Sequence, residues 1–154
     1  MPAPYEVLVG SPEIAMQFER FSTALWSGAV SALISETIFL ITAKHFRCAY
    51  QWETHKAKAL DAGLRPEIIR AIGQGEPLDE LCVDQRAVLD VYRFLRALHF
   101  DFAVSDGDFD RFAAHFDEVQ LSELMAFCGF AVSIAMLLNV RQVAPPASWS
   151  GAFN

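Results

Sequence analysis

At 154 residues, with 53% hydrophobic residues and a formal net charge of −7, the chain has the size of one domain and an unusually apolar composition. The excess of acidic over basic residues, without any basic run, argues against a nucleic-acid partner because phosphates would be repelled. Three cysteines at unrelated spacings form no disulfide framework, which indicates a reducing, cytoplasmic setting.

Helical spacing of apolar residues runs through the first half of the chain. Ser11-Pro12-Glu13 predicts the start of a helix, because a capping residue is followed by proline at the first helical position. A second helix is predicted from about Ala32 to His45 and a third from about Ala49 to Ala62. Gly63 then stands where a left-handed C-terminal cap is expected.

The second half of the chain has the same helical character. Helices are predicted from Pro66 to Gly73, from Asp84 onward, from Asp106 to about Phe116 with Ser105 as cap, and from about Asp117 to Val140. A tail from about residue 144 is expected to be irregular and is available to pack against a neighbour. The sequence therefore predicts one all-α domain over residues 1–154, with six or seven helices.

The excess of apolar residues in so small a chain predicts burial between subunits, hence a homo-oligomer. The longest apolar run, residues 127–140, is shorter than the roughly 20 residues of a membrane span. No membrane partner is therefore expected.

Three chemistry-bearing residues lie in and just after the apolar segment that begins at Ser35: Glu36, Cys48 and His55. Seven residues are close to two helical turns, so Cys48 and His55 are expected on one helix face. Glu36 on a hydrophobic helix needs a partner if it is buried. We expect Glu36 and His55 to meet, directly or through one water, with Cys48 nearby, forming an acid, thiol and imidazole site for proton transfer or thiol chemistry.

Other interpretations of these residues stay open. Cys48 at a helix N-terminus is placed for a stabilised thiolate, but a free cysteine is more often a small buried hydrophobe. Cys82 and Cys128 are interpreted as packing residues. A metal site built from His45, Cys48 and His55 has donors of the right type but matches no standard zinc spacing.

These residues resemble the carboxymuconolactone decarboxylase and alkylhydroperoxidase D superfamily, over about residues 12 to 140. The similarity lies in Glu36, Cys48 and His55 and in the flanking segments Tyr50-Gln51-Trp52, Ala62-Gly63-Leu64, Gln85-Arg86-Ala87-Val88-Leu89, Val104-Ser105 and Glu123-Leu124 to Leu138-Asn139. The resemblance implies an alkylhydroperoxidase D-like helical fold and assembly as trimers or hexamers.

That superfamily has two branches that differ in the cysteine pattern at this site, and the resemblance bears on both. The peroxidase branch uses a Cys-x-x-Cys pair, and Gln51 occupies the position of the second cysteine here, so the usual dithiol cycle is not expected. The decarboxylase-like branch shows a C-x-Y-x-W-x-x-H pattern, which Cys48, Tyr50, Trp52 and His55 reproduce. This similarity implies a cofactor-independent acid/base site acting on a small carboxylated lactone or related organic acid.

The leading functional prediction is accordingly a decarboxylase-like enzyme without cofactor or metal. His55 is expected to donate or accept the proton, and Glu36 to tune or relay that transfer. Loss of carbon dioxide leaves a carbanion on the substrate, and this carbanion needs a proton donor. Expected substrate-binding residues are Tyr50, Gln51, Trp52, and Arg47 or Lys44 for a substrate carboxylate. The alternatives are a thiol-dependent peroxidase that uses Cys48, and a non-catalytic helical oligomer.

Overall fold

A computed structural model describes residues 3–153, which form eight helices and, within that range, no strand. The helices are α1 Ala3–Glu6, α2 Pro12–Trp26, α3 Ala32–His45, α4 Ala49–Asp61, α5 Pro66–Gln74, α6 Arg86–Asp101, α7 Asp106–Ala113 and α8 Glu118–Val140. The all-α prediction is confirmed. The helix count of six or seven is corrected to eight by α1, a single turn that has no periodic pattern of its own.

Helix α3 is the centre of the fold. Residues 34–43 are buried without interruption, and α3 contacts α4, α5, α6 and α8. A helix surrounded by others must be apolar on every side, which explains its lack of an amphipathic pattern. Polar side chains inside α3 therefore need partners within the protein, and Glu36 is one of these buried residues.

A tight turn between α3 and α4 brings α4 back along α3. Arg47 adopts φ 51°, a left-handed conformation that reverses the chain, and the backbone N–H of Cys48 donates to the carbonyl of Ala43 at 2.8 Å. Cys48 is the N-cap residue of α4. This short connection places the first half of α3, with Glu36, beside the second turn of α4, with His55.

Two predicted helix ends differ from the structure. Helix α5 does not stop at Gly73 but continues to Gln74, and Gly75 takes the left-handed cap with φ 71°. Gly73 stays helical in a crowded place, where an added Cβ would lie 2.9 Å from the carbonyl oxygen of Ala152. Helix α7 ends at Ala113 rather than at Phe116, and a turn separates it from α8.

Helix α8 is the one helix among residues 3–153 that is long and apolar enough to span a membrane by length and composition alone. It has 23 residues and begins with a capping box of Asp117 and Gln120. The apolar run noted in the sequence, residues 127–140, is therefore the second part of a longer helix. Contacts with α1, α2, α3 and α4 account for the apolar character of its inner side.

The described tail, residues 144–153, has no regular helix, and it packs against its own chain. The Phe153 ring meets Trp52 edge-on at 5.2 Å, and Trp149 contacts Phe153 at 4.9 Å. The Gln74 side chain donates to the carbonyl of Ala152 at 3.3 Å. The tail thereby covers one face of α4 and α5.

Candidate functional site

Glu36 and His55 form a direct hydrogen bond. Oε2 of Glu36 lies 2.6 Å from Nδ1 of His55, and the two side chains are 5% and 12% exposed. The expected pairing of these two residues is thus confirmed. Because Nδ1 is engaged by the carboxylate, Nε2 is the ring nitrogen that can exchange a proton with a substrate.

Two aromatic rings hold the His55 imidazole in place. The Phe39 ring stacks on it with centroids 4.2 Å apart and planes 26° apart, and Trp26 lies nearly parallel to it at 5.9 Å. Phe39 follows Glu36 by three residues on α3, so one helix face supplies both the carboxylate and the stacking ring. The imidazole is therefore fixed in orientation by packing as well as by its hydrogen bond.

Opposing effects set the protonation of His55. Burial lowers its pKa below the ordinary value, while the hydrogen bond and charge of Glu36 act to raise it and the nearby cation of Lys58 lowers it further. Neutral His55, with Nδ1–H donating to Glu36, is the form that burial favours. A proton gained at Nε2 would be stabilised by the adjacent carboxylate.

His55 lines a cleft of about 320 Å³ between α1, α2, α3, α4 and α8. Its walls are largely aromatic or aliphatic, and its polar groups come mostly from α4. Other residues that line the cleft include Tyr5, Ser22, Trp26, Phe39, Tyr50, Thr54, Lys58, Phe130 and Ile134. The cleft can therefore hold a small molecule with an apolar body beside a proton carrier.

Cys48 is a buried thiol, 1% exposed, at the N-terminus of α4. Burial raises its pKa, although the backbone N–H groups of Tyr50 and Gln51 act in the opposite direction. The expected thiolate-stabilising effect of the helix N-terminus is therefore outweighed by desolvation. Cys48 is also not among the residues that line the His55 cleft.

The four expected substrate-binding residues do not share one cleft. Tyr50 lines the His55 cleft. Gln51 is buried and donates to the carbonyl of Phe39 at 3.1 Å, so it acts as a bridge between α4 and α3. Trp52 faces α5 and the tail, and Arg47 lines a separate cleft beside α6. Tyr50, Gln51 and Trp52 are successive residues of one helix and therefore point in different directions, and Arg47 lies in the turn before that helix.

The alternative metal set is not assembled. His45 stacks on His99 at 4.5 Å, in the separate cleft beside α6, whereas His55 lies in the cleft formed with α8. Within residues 3–153, no group of three or more histidine, cysteine or carboxylate side chains is arranged to hold a metal ion.

Several residues of the site were not anticipated from the sequence. Lys58 and Phe39 each lie three residues from a predicted site residue, so helical spacing alone is a signal that points to them. Trp26 and Phe130 carry no such signal, since their positions depend on how α2 and α8 pack against α3.

No family model matches the chain, and no curated protein gives a significant match to it.

Proposed function

We propose that the chain is a cofactor-independent, decarboxylase-like enzyme acting on a small carboxylated lactone or related organic acid. The observation that carries the proposal is the Glu36–His55 hydrogen bond at the wall of a cleft. A buried carboxylate that orients an imidazole toward a pocket is the arrangement that general acid–base chemistry requires. We further propose that the fold is alkylhydroperoxidase D-like and that the chain belongs to the carboxymuconolactone decarboxylase and alkylhydroperoxidase D superfamily.

The proposed reaction breaks the bond between the carboxylate carbon and its neighbour. Carbon dioxide leaves, and the bonding electron pair stays on the substrate as an enolate. His55, in its protonated form, gives its Nε2 proton to that carbon and regains a proton from solvent in the cleft. Glu36 stabilises the imidazolium and holds the ring, so that no reorientation is needed during the transfer.

Lys58 takes the role that the sequence assigned to Arg47 or Lys44. Its side chain lines the same cleft as His55, one turn further along α4, whereas Arg47 and Lys44 line the cleft beside α6. The Lys58 ammonium in a mainly apolar cleft gives a substrate carboxylate a favoured orientation. Tyr50 and Thr54 offer hydroxyl groups along the same wall.

The two alternatives have less support. A peroxidase that uses Cys48 needs an accessible thiolate, yet this thiol is buried, its pKa is raised, and Gln51 stands where a second cysteine would be required. A non-catalytic oligomer gives no reason for a buried Glu36–His55 pair beside a cleft. We retain trimeric or hexameric assembly and a cytoplasmic location as parts of the proposal. Assembly is supported by the apolar side chains that remain exposed on α8.

The proposal is tested by screening small lactone and keto acids for carbon dioxide release. His55→Gln should lower turnover by roughly 10²-fold or more, and Glu36→Gln by a smaller factor, as expected on losing a general acid and its partner. The matched control is His115→Gln, because His115 is paired with Asp90 at 2.7 Å on the surface, outside both the His55 cleft and the cleft beside α6.

The competing functions give different outcomes in the same experiment. Cys48→Ser should leave part of any decarboxylase turnover intact, because the reaction uses no thiolate. Robust peroxide reduction that Cys48→Ser abolishes would instead identify a thiol peroxidase. Turnover that is equally sensitive to His115→Gln and His55→Gln would refute the assignment of the site.

A further inference from the structure

A second cleft, of about 250 Å³, lies between α3, α5 and α6. It shares no lining residue with the His55 cleft, so it is a separate site. Ile41, Ile72, Tyr92 and Phe100 give it apolar walls.

Apart from the Tyr92 hydroxyl, the polar side chains that line this cleft are all basic residues. Lys44, His45, Arg47, Arg96 and His99 line it, and no acidic side chain of the described residues does. That composition is unusual for a chain with 12 basic and 19 acidic residues. The local field therefore favours an anion, although the net charge of the protein is negative.

His45 and His99 form a stacked pair in the cleft. Their rings are 4.5 Å apart and 11° from parallel, and Nε2 of His99 is buried without a hydrogen-bond partner among the described residues. Burial lowers the pKa of both imidazoles, to about 4 for His99, where the nearby His45 adds to the effect. A bound anion would offset that cost, because it favours the imidazolium forms.

Arg96 is placed to bind a flat anionic ligand. Its guanidinium lies over the rings of Phe100 and Tyr92, at 5.7 and 5.5 Å, and Nη1 donates to the Tyr92 hydroxyl at 3.2 Å. These contacts limit the rotamers of an exposed side chain, so less entropy is lost when a carboxylate is bound. The apolar walls beside it suit a planar ring.

We propose that this cleft binds a small planar organic carboxylate, held by Arg96 and the His45–His99 pair against the apolar walls. The probe is benzoate, titrated into the full chain by calorimetry at about pH 6, where the carboxylate is ionised and proton uptake by the histidines on binding can be detected. Benzamide serves as the neutral analogue and inorganic phosphate as the anion without a ring. Saturable binding of benzoate, with both analogues roughly tenfold weaker or worse, is the expected result.

A matched pair of arginines on α6 tests the location. Arg96→Gln should weaken benzoate binding roughly tenfold, because one charge-assisted contact is lost. Arg93→Gln removes the same charge from the same helix, but Arg93 pairs with Asp79 outside the cleft, so the affinity should be unchanged. The wild-type chain gives an independent reading, since benzoate should raise the pKa of His99 in an NMR titration.

Several results would overturn the proposal. These are an absence of saturation below about 10 mM benzoate, equal losses from the two arginine variants, and binding of benzamide or phosphate as tight as that of benzoate. A benzoate response at His55 without one at His99 would place the ligand in the other cleft and refute the assignment as well. In each protonation measurement, the charged and titratable groups that line the cleft together with His99 are Lys44, His45, Arg47, Tyr92 and Arg96.

Discussion

His55 is a residue whose chemistry depends on neighbours from three helices. Glu36 and Phe39 come from α3, Trp26 from α2, and Lys58 from its own helix. The carboxylate favours the imidazolium, whereas burial and the lysine disfavour it, and the two effects partly cancel. A small change in any neighbour should therefore move the protonation of His55 measurably.

Lys58→Gln is expected to raise the pKa of His55. The lysine cation repels the imidazolium and so lowers this pKa, and its removal reverses that contribution. The pKa is measured from the imidazole signals in an NMR titration. If His55 acts as the general acid, kcat/KM falls as pH rises through this pKa, and the falling limb should move to higher pH in the variant.

Lys56→Gln is the matched control for this titration. Lys56 lies on the same helix but lines a different cleft, formed by α4, α5 and the tail. It is not among the groups that shift the pKa of His55. A pKa that moves equally in both variants would mean that general screening, rather than Lys58, sets it. A limb that rises with pH would make His55 a general base.

Cys48 should react slowly with iodoacetamide in the folded protein. The thiol is buried and its pKa is raised, and alkylation needs an accessible thiolate. Cys82 and Cys128 are also buried with raised pKa values, about 12 for Cys128. All three should react rapidly in urea, as measured by mass spectrometry. One fast thiol in the native protein that Cys48→Ser removes would favour the redox alternative.

The Glu36–His55 contact was predictable because both residues lie on helices joined by a tight turn, and spacing sets their faces. The direction of the Cys48 pKa shift was not predictable. It depends on whether the helix N-terminus is exposed or buried, and Cys48 is 1% exposed within the hydrophobic core. That burial results from the packing of several helices, which local sequence does not show.

At the scale of elements, α8 anchors the loop between α2 and α3. Oε2 of Glu123 accepts hydrogen bonds from the backbone N–H groups of Ala29 at 2.6 Å and Val30 at 3.2 Å, and Gln120 donates to the carbonyl of Ala29. These contacts fix the loop that connects Trp26 to the helix that carries Glu36. The site therefore depends on an ion-to-backbone contact made far away in the sequence.

Glu123→Ala is expected to destabilise the protein by about 1–3 kcal/mol, because two backbone donors lose a charged acceptor. Glu123→Gln keeps one acceptor oxygen and should cost less. The free energy of unfolding is measured in urea, with Glu118→Ala as the control in the first turn of the same helix. Equal effects of Glu118→Ala and Glu123→Ala would show that the loop contacts contribute little.

Most helix starts were predictable, since Pro12, Pro66, Ser105 and Asp117 are local signals. The end of α5 was not. Two glycines, Gly73 and Gly75, compete as caps, and the choice depends on the tail carbonyl and the Trp52 ring that pack against Gly73. Sequence spacing identifies both glycines but not which one is crowded by distant residues.

For the whole molecule, stability should fall between neutral pH and about pH 4. The folded chain holds the pKa of His99 at about 4, below its ordinary 6.5, so the unfolded chain binds the proton first as pH falls. The shifts of His45 and His55 have the same sign. The stability that depends on neutral His99 is thus fully present above pH 6.5, and it is lost as the pH falls toward the folded-state pKa of about 4.

His99→Leu should make the unfolding free energy less dependent on pH. At about pH 5 the titration of His99 lowers the free energy of unfolding, and the variant removes this loss. With allowance for the partial exposure of His99, the loss is on the order of 1 kcal/mol. Urea unfolding of both proteins at neutral and acidic pH measures it. Parallel pH profiles for the wild type and the variant would show that His99 titrates alike in the folded and unfolded chain.

One side of α8 carries apolar side chains that remain exposed in the folded chain. Met125, Met136 and Val140 remain 41%, 53% and 77% exposed and lie on one side of α8 at helical spacing. The inner side of the same helix is fully packed, so these residues form a continuous apolar stripe that no part of the described chain covers. Burying such a stripe between subunits removes apolar area from water at about 25 cal/mol per Å².

Met136→Glu is therefore expected to weaken or abolish the proposed oligomer, because a carboxylate buried at the contact would be desolvated without a partner. Val83→Glu is the matched control, since Val83 is 62% exposed but lies away from α8, before α6 begins. Light scattering at micromolar concentration reads out the mass of all three proteins. A wild-type monomer, or an oligomer that both variants leave intact, would contradict assembly through this face, whereas loss in Met136→Glu alone would place α8 at the subunit contact.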